Sequence, residues 1–293
     1  LQVGTTLQAE TYLSKVLVAS PQTSLARRLL VTAYLRSGQL DKAVATLQPL
    51  LKEADSNPAI SALAGEAYLQ SGDVKKAEEY FAKAARQDPK NPRSRTALAL
   101  THLAGGNASA IEELQSIADS DSSTMADMAL ISISLRRGEF DKALKAIDGL
   151  EKKQPGKPLA PNLRGRTLLA KKDVAGARKA FEQAASIDPG YMPAIASLAA
   201  IDVAEKKPEL ARKRFEDVLA KTPNQPQALL ALAELRAREG GKKEEVIELV
   251  NKAVTANPTE KLPRLLLIDL HLRSKDTKLA LAAAQGAVAA IPD

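Results

Sequence analysis

The chain has 293 residues, of which 45% are hydrophobic and only 3% aromatic, and it contains neither cysteine nor tryptophan. The lack of cysteine excludes disulfides, zinc sites with cysteine ligands and thiol catalysis, and no apolar run approaches the length of a membrane span. The formal net charge is +7, and residues 151–179 alone carry nine basic and two acidic side chains.

A 34-residue period organises the chain. In residues 58–91, places 8, 11, 15, 20, 24, 27 and 32 hold Gly65, Tyr68, Gly72, Ala77, Phe81, Ala84 and Pro89, and related residues recur upstream and downstream. Such a period indicates stacked units, each too small to bury its apolar face alone. The predicted boundaries are a partial repeat at 1–23, followed by repeats at 24–57, 58–91, 91–123, 124–157, 158–191, 192–225, 226–260 and 261–293.

Each repeat is predicted to form two amphipathic helices joined by a short turn. In 58–91, Gly65 lets the neighbouring helix come close, and Gly72 ends the first helix because glycine takes the left-handed conformation readily. Asp73 then accepts backbone N–H groups at the start of the second helix. Two repeats deviate in length, one residue short around Gly105-Gly106-Asn107 and one residue long around Gly240-Gly241.

The two ends of the sequence fall inside the repeating pattern. Five residues fit places 15, 20, 24, 27 and 32 of a repeat that lacks its first helix, namely Gly4, Ala9, Leu13, Val16 and Pro21. The last repeat stops at Pro292-Asp293, and neither end has a polar capping helix, which complete arrays normally carry. We therefore expect 1–293 to be a single solenoid fragment of a longer array.

The periodic residues resemble the tetratricopeptide repeat, over nearly the whole chain. This resemblance implies an all-α, right-handed α-solenoid that acts as a non-enzymatic protein–protein interaction scaffold. In the family, places 2, 5, 9 and 12 of the first helix face an inner groove that holds a peptide or helix of a partner. The partner-binding candidates implied here are Arg28, Thr32, Glu66, Met125, Met128, Leu159, Asn162, Arg166, Leu230 and Glu234.

Two finer resemblances bear on the partner and the compartment. The carboxylate clamp of chaperone-binding members is missing, which argues against an acidic chaperone C-terminus as ligand. The composition and turns such as Leu69-Gln70-Ser71-Gly72-Asp73 look like bacterial cell-envelope repeat lipoproteins associated with exopolysaccharide production and protein sorting. This similarity implies the periplasm or cell envelope, with the cytoplasm as the alternative.

No constellation of residues points to catalysis, to a cofactor or to a metal. His102 and His271 both stand at place 11, where Tyr34 and Tyr68 stand in other repeats, so each is interpreted as a ring that fills an aromatic slot. The paired glycines lack the spacing of a phosphate-binding loop. Residues 151–179 contain no aromatic residue, which argues against nucleic-acid binding.

A second function class remains open for the basic stretch. Its lysines could bind an acidic polymer, either a polysaccharide or an acidic protein, because a concentrated positive charge attracts polyanions. The residues concerned are Lys152, Lys153, Lys157, Lys171 and Lys172. Alternatively, these side chains are a solvated surface that keeps the array soluble.

Overall fold

The computed structural model describes residues 3–291, with side-chain surroundings from residue 7 onward, and all regular structure in this range is helical. The chain divides into two compact units, residues 1–153 (unit 1) and 154–293 (unit 2). The sequence predicts one array over 1–293, and its continuity stays a prediction.

Nine α-helices form the described part of unit 1. They are α1 (Val3–Ala19), α2 (Ser24–Arg36), α3 (Leu40–Leu47), α4 (Pro58–Gln70), α5 (Val74–Gln87), α6 (Pro92–Ala104), α7 (Ala110–Ser120), α8 (Met125–Arg136) and α9 (Phe140–Lys153). A 3-10 segment, Gln48–Glu53, continues α3.

Eight α-helices form the described part of unit 2. They are α10 (Leu159–Ala170), α11 (Val174–Ile187), α12 (Met192–Ala204), α13 (Pro208–Lys221), α14 (Pro226–Arg238), α15 (Lys243–Ala256), α16 (Lys261–Arg273) and α17 (Thr277–Ala290).

Within each unit, helices that follow one another in the chain pack against one another. Because turns of only a few residues join them, successive helices are antiparallel hairpins, each with a first and a second helix. The first helices are α2, α4, α6 and α8 in unit 1 and α10, α12, α14 and α16 in unit 2. The sequence places α1 as the second helix of the partial repeat, but α1 already begins at Val3, so Gly4 lies in a helix and not in a turn.

Local residues explain where the helices begin and end. Gly72 has φ +88°, and the Asp73 N–H donates to the Tyr68 carbonyl oxygen over 2.9 Å, which closes the end of α4. The Asp73 carboxylate then accepts the Lys76 N–H at the start of α5, as the sequence predicts. At the start of α4, the Asn57 side chain accepts the Ala59 N–H, and Pro58 occupies the first helical position.

A glycine and a phenylalanine set the closest approach within two of the hairpins. A Cβ added to Gly65 would lie 2.7 Å from the Phe81 ring, and one added to Gly165 would lie 2.6 Å from the Phe181 ring. Neither ring has room to retreat, since Phe81 is 5% exposed and Phe181 is fully buried. The close approach predicted at Gly65 is confirmed.

The row of buried residues along the second helices, which we call the buried seam, also locates the two repeats of unusual length. Most second helices bury places 20, 24 and 27, as α5 does with Ala77, Phe81 and Ala84. The seam falls one residue early in α7 and one residue late in α15, where the buried residues are Ala110, Leu114 and Ile117, and Val246, Val250 and Ala253. In both hairpins the change lies between the turn glycine and the second helix, where an insertion or deletion disturbs the packing least.

Candidate functional site

Two first helices of unit 1 expose large apolar side chains, α2 at place 2 of its repeat and α8 at places 2 and 5. Leu25 is 62% exposed, Met125 42% and Met128 37%, although the opposite side of the same helices forms the core. Two polar candidates have internal partners. The Thr32 hydroxyl donates to the Arg28 carbonyl oxygen over 3.0 Å, and the Glu66 carboxylate accepts from the Gln70 amide over 3.4 Å. In either unit, we call the surface formed by places 2, 5, 9 and 12 of the first helices the first-helix face of that unit.

Unit 2 separates its predicted candidates into exposed and buried residues. Arg166 and Glu234 are exposed, and Glu234 pairs with Arg238 at 2.5 Å. Leu159 and Leu230 are half-buried. The prediction that Asn162 contacts a partner is wrong. Only 4% of this residue is exposed, and its Oδ1 atom has no hydrogen-bond partner. Its side chain therefore fills space inside the fold and is not open to a partner.

The most exposed apolar part of the first-helix face in unit 2 lies on α16, outside the residues selected as candidates. Leu262 is 62% exposed, Leu265 61% and Leu272 54%. These residues stand at places 2, 5 and 12 of the last repeat. These are places that the family assigns to the inner groove, so the repeat pattern alone puts these residues on that face.

The structure also corrects the prediction for Lys153, which the sequence places among the available lysines of residues 151–179. Its Nζ atom donates to Asp127 Oδ2 over 2.5 Å, to the Ala118 carbonyl oxygen over 2.6 Å and to the Ser123 carbonyl oxygen over 3.2 Å. The side chain of Lys153 is 15% exposed and that of Asp127 3%. Gly149 makes this pair possible, since a Cβ there would lie 2.8 Å from Asp127 Oδ1. Lys153 is therefore a structural residue that ties α9 to α7 and α8.

Four other lysines of the stretch, Lys152, Lys157, Lys171 and Lys172, are exposed. Arg178 is not a free cation, because it pairs with Asp202 at 2.7 Å and with Glu205 at 3.0 Å. Lys152 belongs to unit 1, whereas the other three lysines belong to unit 2. Fewer charges are thus available to an acidic polymer than the sequence predicts.

Asp202 is a fully buried carboxylate of unit 2 that forms ion pairs with two arginines. It stands at place 11 of α12, and its carboxylate accepts from Arg178 of α11 over 2.7 Å and from Arg214 of α13 over 2.5 Å. Burial alone would raise the pKa of Asp202, but hydrogen bonds from Arg214 and Arg178 outweigh it and hold the pKa below its ordinary value. The three helices are therefore linked by a carboxylate whose ionised form the two arginines stabilise.

This shift predicts a contribution to stability that acid removes. Because the pKa of Asp202 is lower in the folded than in the unfolded chain, the contribution is complete above the unfolded value of about 4 and declines as the pH falls below it. The difference in unfolding free energy between the wild type and Asp202→Asn should be constant from pH 6 to about 5 and shrink below about 4. Urea denaturation at each pH measures this difference. A gap that is unchanged down to pH 3 would contradict the role of the ionised pair.

The two histidines differ from each other, since His271 is a buried ring at place 11 as predicted, whereas His102 makes polar contacts that the sequence does not predict. The His102 Nδ1 atom lies 2.8 Å from Glu113 Oε2, and its Nε2 atom lies 3.7 Å from Glu78 Oε1. His102 thus connects α6 to α5 and α7 through polar contacts. The sequence does not predict them, because Glu78 and Glu113 lie far from His102 along the chain. His271 is 7% exposed and lines a recess between α15, α16 and α17. No group of three histidine, aspartate or glutamate side chains in residues 3–291 is arranged to hold a metal ion.

Comparison with protein-family profiles identifies the type of repeat in this chain. One tetratricopeptide repeat profile matches residues 4–58, 28–92 and 62–124, and another matches residues 168–235. A tetratricopeptide repeat-like domain profile matches residues 95–195, so the matches together run without a gap from 4 to 235. The chain belongs to the tetratricopeptide repeat family. A search of curated protein sequences finds no significant match.

Among the solved structures similar to this chain, two with a TM-score above 0.5 agree with it in fold. Yeast Tom70 is 14% identical with a TM-score of 0.60, and the match covers 93% of this chain and 61% of Tom70. The C-terminal part of a repeat protein from Cytophaga hutchinsonii is 14% identical with a TM-score of 0.52, covering 80% of this chain and 96% of the other. A chain of the APC/C hetero-tetramer Cut9–Hcn1 is 17% identical with a TM-score of 0.44, covering 90% of this chain and 52% of the other.

The tetratricopeptide assignment confirms the predicted all-α solenoid class. It also supports the general role of a protein-interaction scaffold, which is the usual, non-enzymatic use of these repeats. This chain spans only about half to three fifths of the length of the Cut9–Hcn1 chain and of Tom70. In the described residues, every helix is too short or too polar to cross a bilayer.

Proposed function

We propose that the chain holds a segment of a partner protein on the first-helix face. The observation that carries this proposal is the exposure of Leu25, Met125 and Met128 in unit 1 and of Leu262 and Leu265 in unit 2. Large apolar side chains that stay in contact with water at equivalent places of several repeats are typical of a surface that is covered by a partner.

The chemistry of this face indicates the kind of segment that fits it. The exposed side chains are leucines and methionines, and methionine adapts its shape to different apolar contacts. Isolated charges such as Arg166 and Glu234 lie on the same helices. An amphipathic helix or an extended segment, with apolar side chains toward the array and polar ones toward solvent, satisfies both features.

We also propose that the array works in the bacterial cell envelope, in a secretion or exopolysaccharide system. The support is the likeness of turns such as 69–73 and 135–143 to those of envelope repeat lipoproteins. Fractionation of cells that produce the full-length protein tests the compartment. Recovery with a cytoplasmic marker enzyme, and not with a periplasmic one, would overturn this part of the proposal.

A double substitution tests the first-helix face of unit 1. Met125→Asp with Met128→Asp places two charges where the partner's apolar side chains would lie, and we expect partner binding to weaken at least tenfold. The melting temperature should change little, because both side chains are already exposed. Calorimetric titration with the partner segment measures the effect.

A matched control uses two exposed apolar residues on a second helix of the same unit. Val16→Asp with Val18→Asp adds the same charge to α1, where these side chains are 43% and 83% exposed. This variant should bind the partner as the wild type does. Equal binding by the wild type and the methionine variant, with both folded, would count against the first-helix face of unit 1.

A further inference from the structure

The recess between α15, α16 and α17 in unit 2 is bordered by a buried histidine ring. The recess has a volume of about 540 Å³, which is within the range of sites for small organic molecules. His271 of α16 lines it and is only 7% exposed. Its imidazole forms no hydrogen bond or ion pair with any of the described residues. Because a buried polar group without a partner is unfavourable, a group from outside the fold that bonds to this ring would be bound favourably.

Two other hairpins place charged partners beside the residue at place 11. His102 in α6 and Asp202 in α12 also stand at this place, and side chains of the flanking second helices contact each of them from both sides. The partners are Glu78 and Glu113 for His102, and Arg178 and Arg214 for Asp202. In both hairpins, one partner precedes place 11 by 24 residues and the other follows it by 11 or 12.

Around His271, the same two positions hold apolar residues. Ile247 lies 24 residues before His271 and Ala283 lies 12 residues after it. Both are partly buried and pack against the core cluster that contains Leu267. Neither side chain can form a hydrogen bond with the ring. The recess and the missing hydrogen bonds of His271 therefore occur together, at a position where two other hairpins have charged side chains.

The charged side chains that line the recess are mostly acidic. The carboxylates are those of Glu244 and Glu248 in α15 and of Asp276 in the turn before α17, and the one lysine is Lys243. All three carboxylates are ionised at neutral pH, although Asp276 accepts the Leu279 N–H and Glu248 pairs with Lys252 at 2.8 Å. With Lys252 included, one net negative charge remains. Three exposed lysines of the adjoining turns do not line the recess, namely Lys242, Lys275 and Lys278.

We propose that this recess binds a guanidinium group together with its aliphatic stem. A guanidinium has five N–H donors and a permanent positive charge, so it can donate both to the imidazole of His271 and to the surrounding carboxylates. It is also more weakly hydrated than an ammonium group, which favours it in a partly closed recess. Ile247 and Leu279 line the same recess and offer apolar contact to the stem.

The proposed site is separate from the first-helix face. His271 stands at place 11, whereas places 2, 5, 9 and 12 form that face, and most of the other lining residues belong to α15. The binding of a guanidinium group in the recess therefore does not depend on the proposed binding of a partner segment.

Proton NMR of the histidines tests the proposal on the intact chain, which has only two of them. The probe is N-acetyl-arginine amide, whose blocked ends leave the guanidinium as its only charge. We expect the imidazole C2–H signal of His271 to shift to saturation with a Kd of about 1 mM, while the signal of His102 stays unchanged. N-acetyl-citrulline amide has a similar stem without the charge and should bind at least about tenfold more weakly. N-acetyl-glutamate amide should not bind.

A blocked Ala-Arg-Ala peptide distinguishes two sources of the guanidinium group. Binding about tenfold tighter than that of N-acetyl-arginine amide would assign the site to an arginine of a protein partner. Equal or weaker binding would assign it to a free guanidinium compound. Both results support a guanidinium site, because the group that enters the recess is the same.

Two variants and a matched control locate the binding by calorimetric titration. His271→Phe keeps a ring at place 11, as Tyr68 does in α4, and should bind the probe at least about tenfold more weakly. Its melting temperature should equal or exceed that of the wild type, because phenylalanine leaves no buried polar group without a partner. Glu244→Gln should also weaken binding. Glu209→Gln makes the same change in the first turn of α13, away from the recess, and should bind as the wild type does.

Three results would overturn the proposal. The first is a His271 signal that does not move up to about 20 mM probe, well above the expected Kd. The second is equal binding of the arginine and citrulline compounds, or preferential binding of the glutamate compound. The third is wild-type affinity in both His271→Phe and Glu244→Gln, since binding would then occur elsewhere on the chain.

Discussion

Replacing Lys153 by alanine is expected to lower the free energy of unfolding by about 3–5 kcal/mol, because Asp127 would stay buried without its charged partner. Asp127 is 2% exposed, so water does not replace the lysine. The substitution also leaves the Ala118 carbonyl oxygen without the hydrogen bond that Lys153 donates. Urea denaturation followed by circular dichroism measures the loss.

Two further variants test whether the lost stability comes from leaving the buried Asp127 charge unpaired. Lys152→Ala, at the exposed neighbouring position, should change stability by less than about 0.5 kcal/mol. Asp127→Leu with Lys153→Met removes both charges together and should recover most of the stability, as replacing buried ion pairs by apolar residues often does. If Lys153→Ala lies within about 1 kcal/mol of the wild type, Lys153 is a surface residue and the description of unit 1 is wrong on this point.

Replacing Phe181 by alanine is expected to cost about 3–5 kcal/mol, since the ring is fully buried and packs directly on Gly165. Gly165→Ala alone should cost about 1–3 kcal/mol or more, because its methyl group would lie 2.6 Å from a ring that cannot move away. The losses in unfolding free energy from these two substitutions should not be additive. In the double variant, the new methyl group enters space that the ring has left.

A double-mutant cycle on Gly165 and Phe181 therefore measures their contact directly. The double variant should be no less stable than Phe181→Ala alone, with a coupling free energy of about 1–3 kcal/mol. Arg166→Ala, next to Gly165 but exposed, is the matched control and should be nearly neutral. Strictly additive losses would show that glycine and ring do not limit each other.

The repeat period predicts the hairpins well, because the residues that carry it are the ones whose size and backbone freedom matter. Gly72 ends α4 with a positive φ, Asp73 caps α5, and Phe81 packs on Gly65, all as expected from local spacing. Each of these effects acts within one repeat, so one repeat of sequence is enough to infer it.

Features that depend on partners in other helices were not predictable in the same way. The sequence places Lys153 among the surface charges, because nothing near it in the sequence indicates Asp127, which lies 26 residues earlier. Asn162 was placed on the open face by its repeat position, yet the surrounding packing buries it. The positive φ of Lys172 was missed for a different reason, since a turn of this type is normally recognised by its glycine.

No hairpin is stable alone, because each is held by its neighbours through small residues and a row of buried side chains. Circular dichroism and urea denaturation of two fragments test it most directly, one hairpin (58–91) and three consecutive hairpins (24–123). We expect the single hairpin to be largely unfolded, whereas the three-hairpin fragment should be helical and unfold cooperatively. A single hairpin that folds cooperatively, with stability similar to that of the longer fragment, would contradict it.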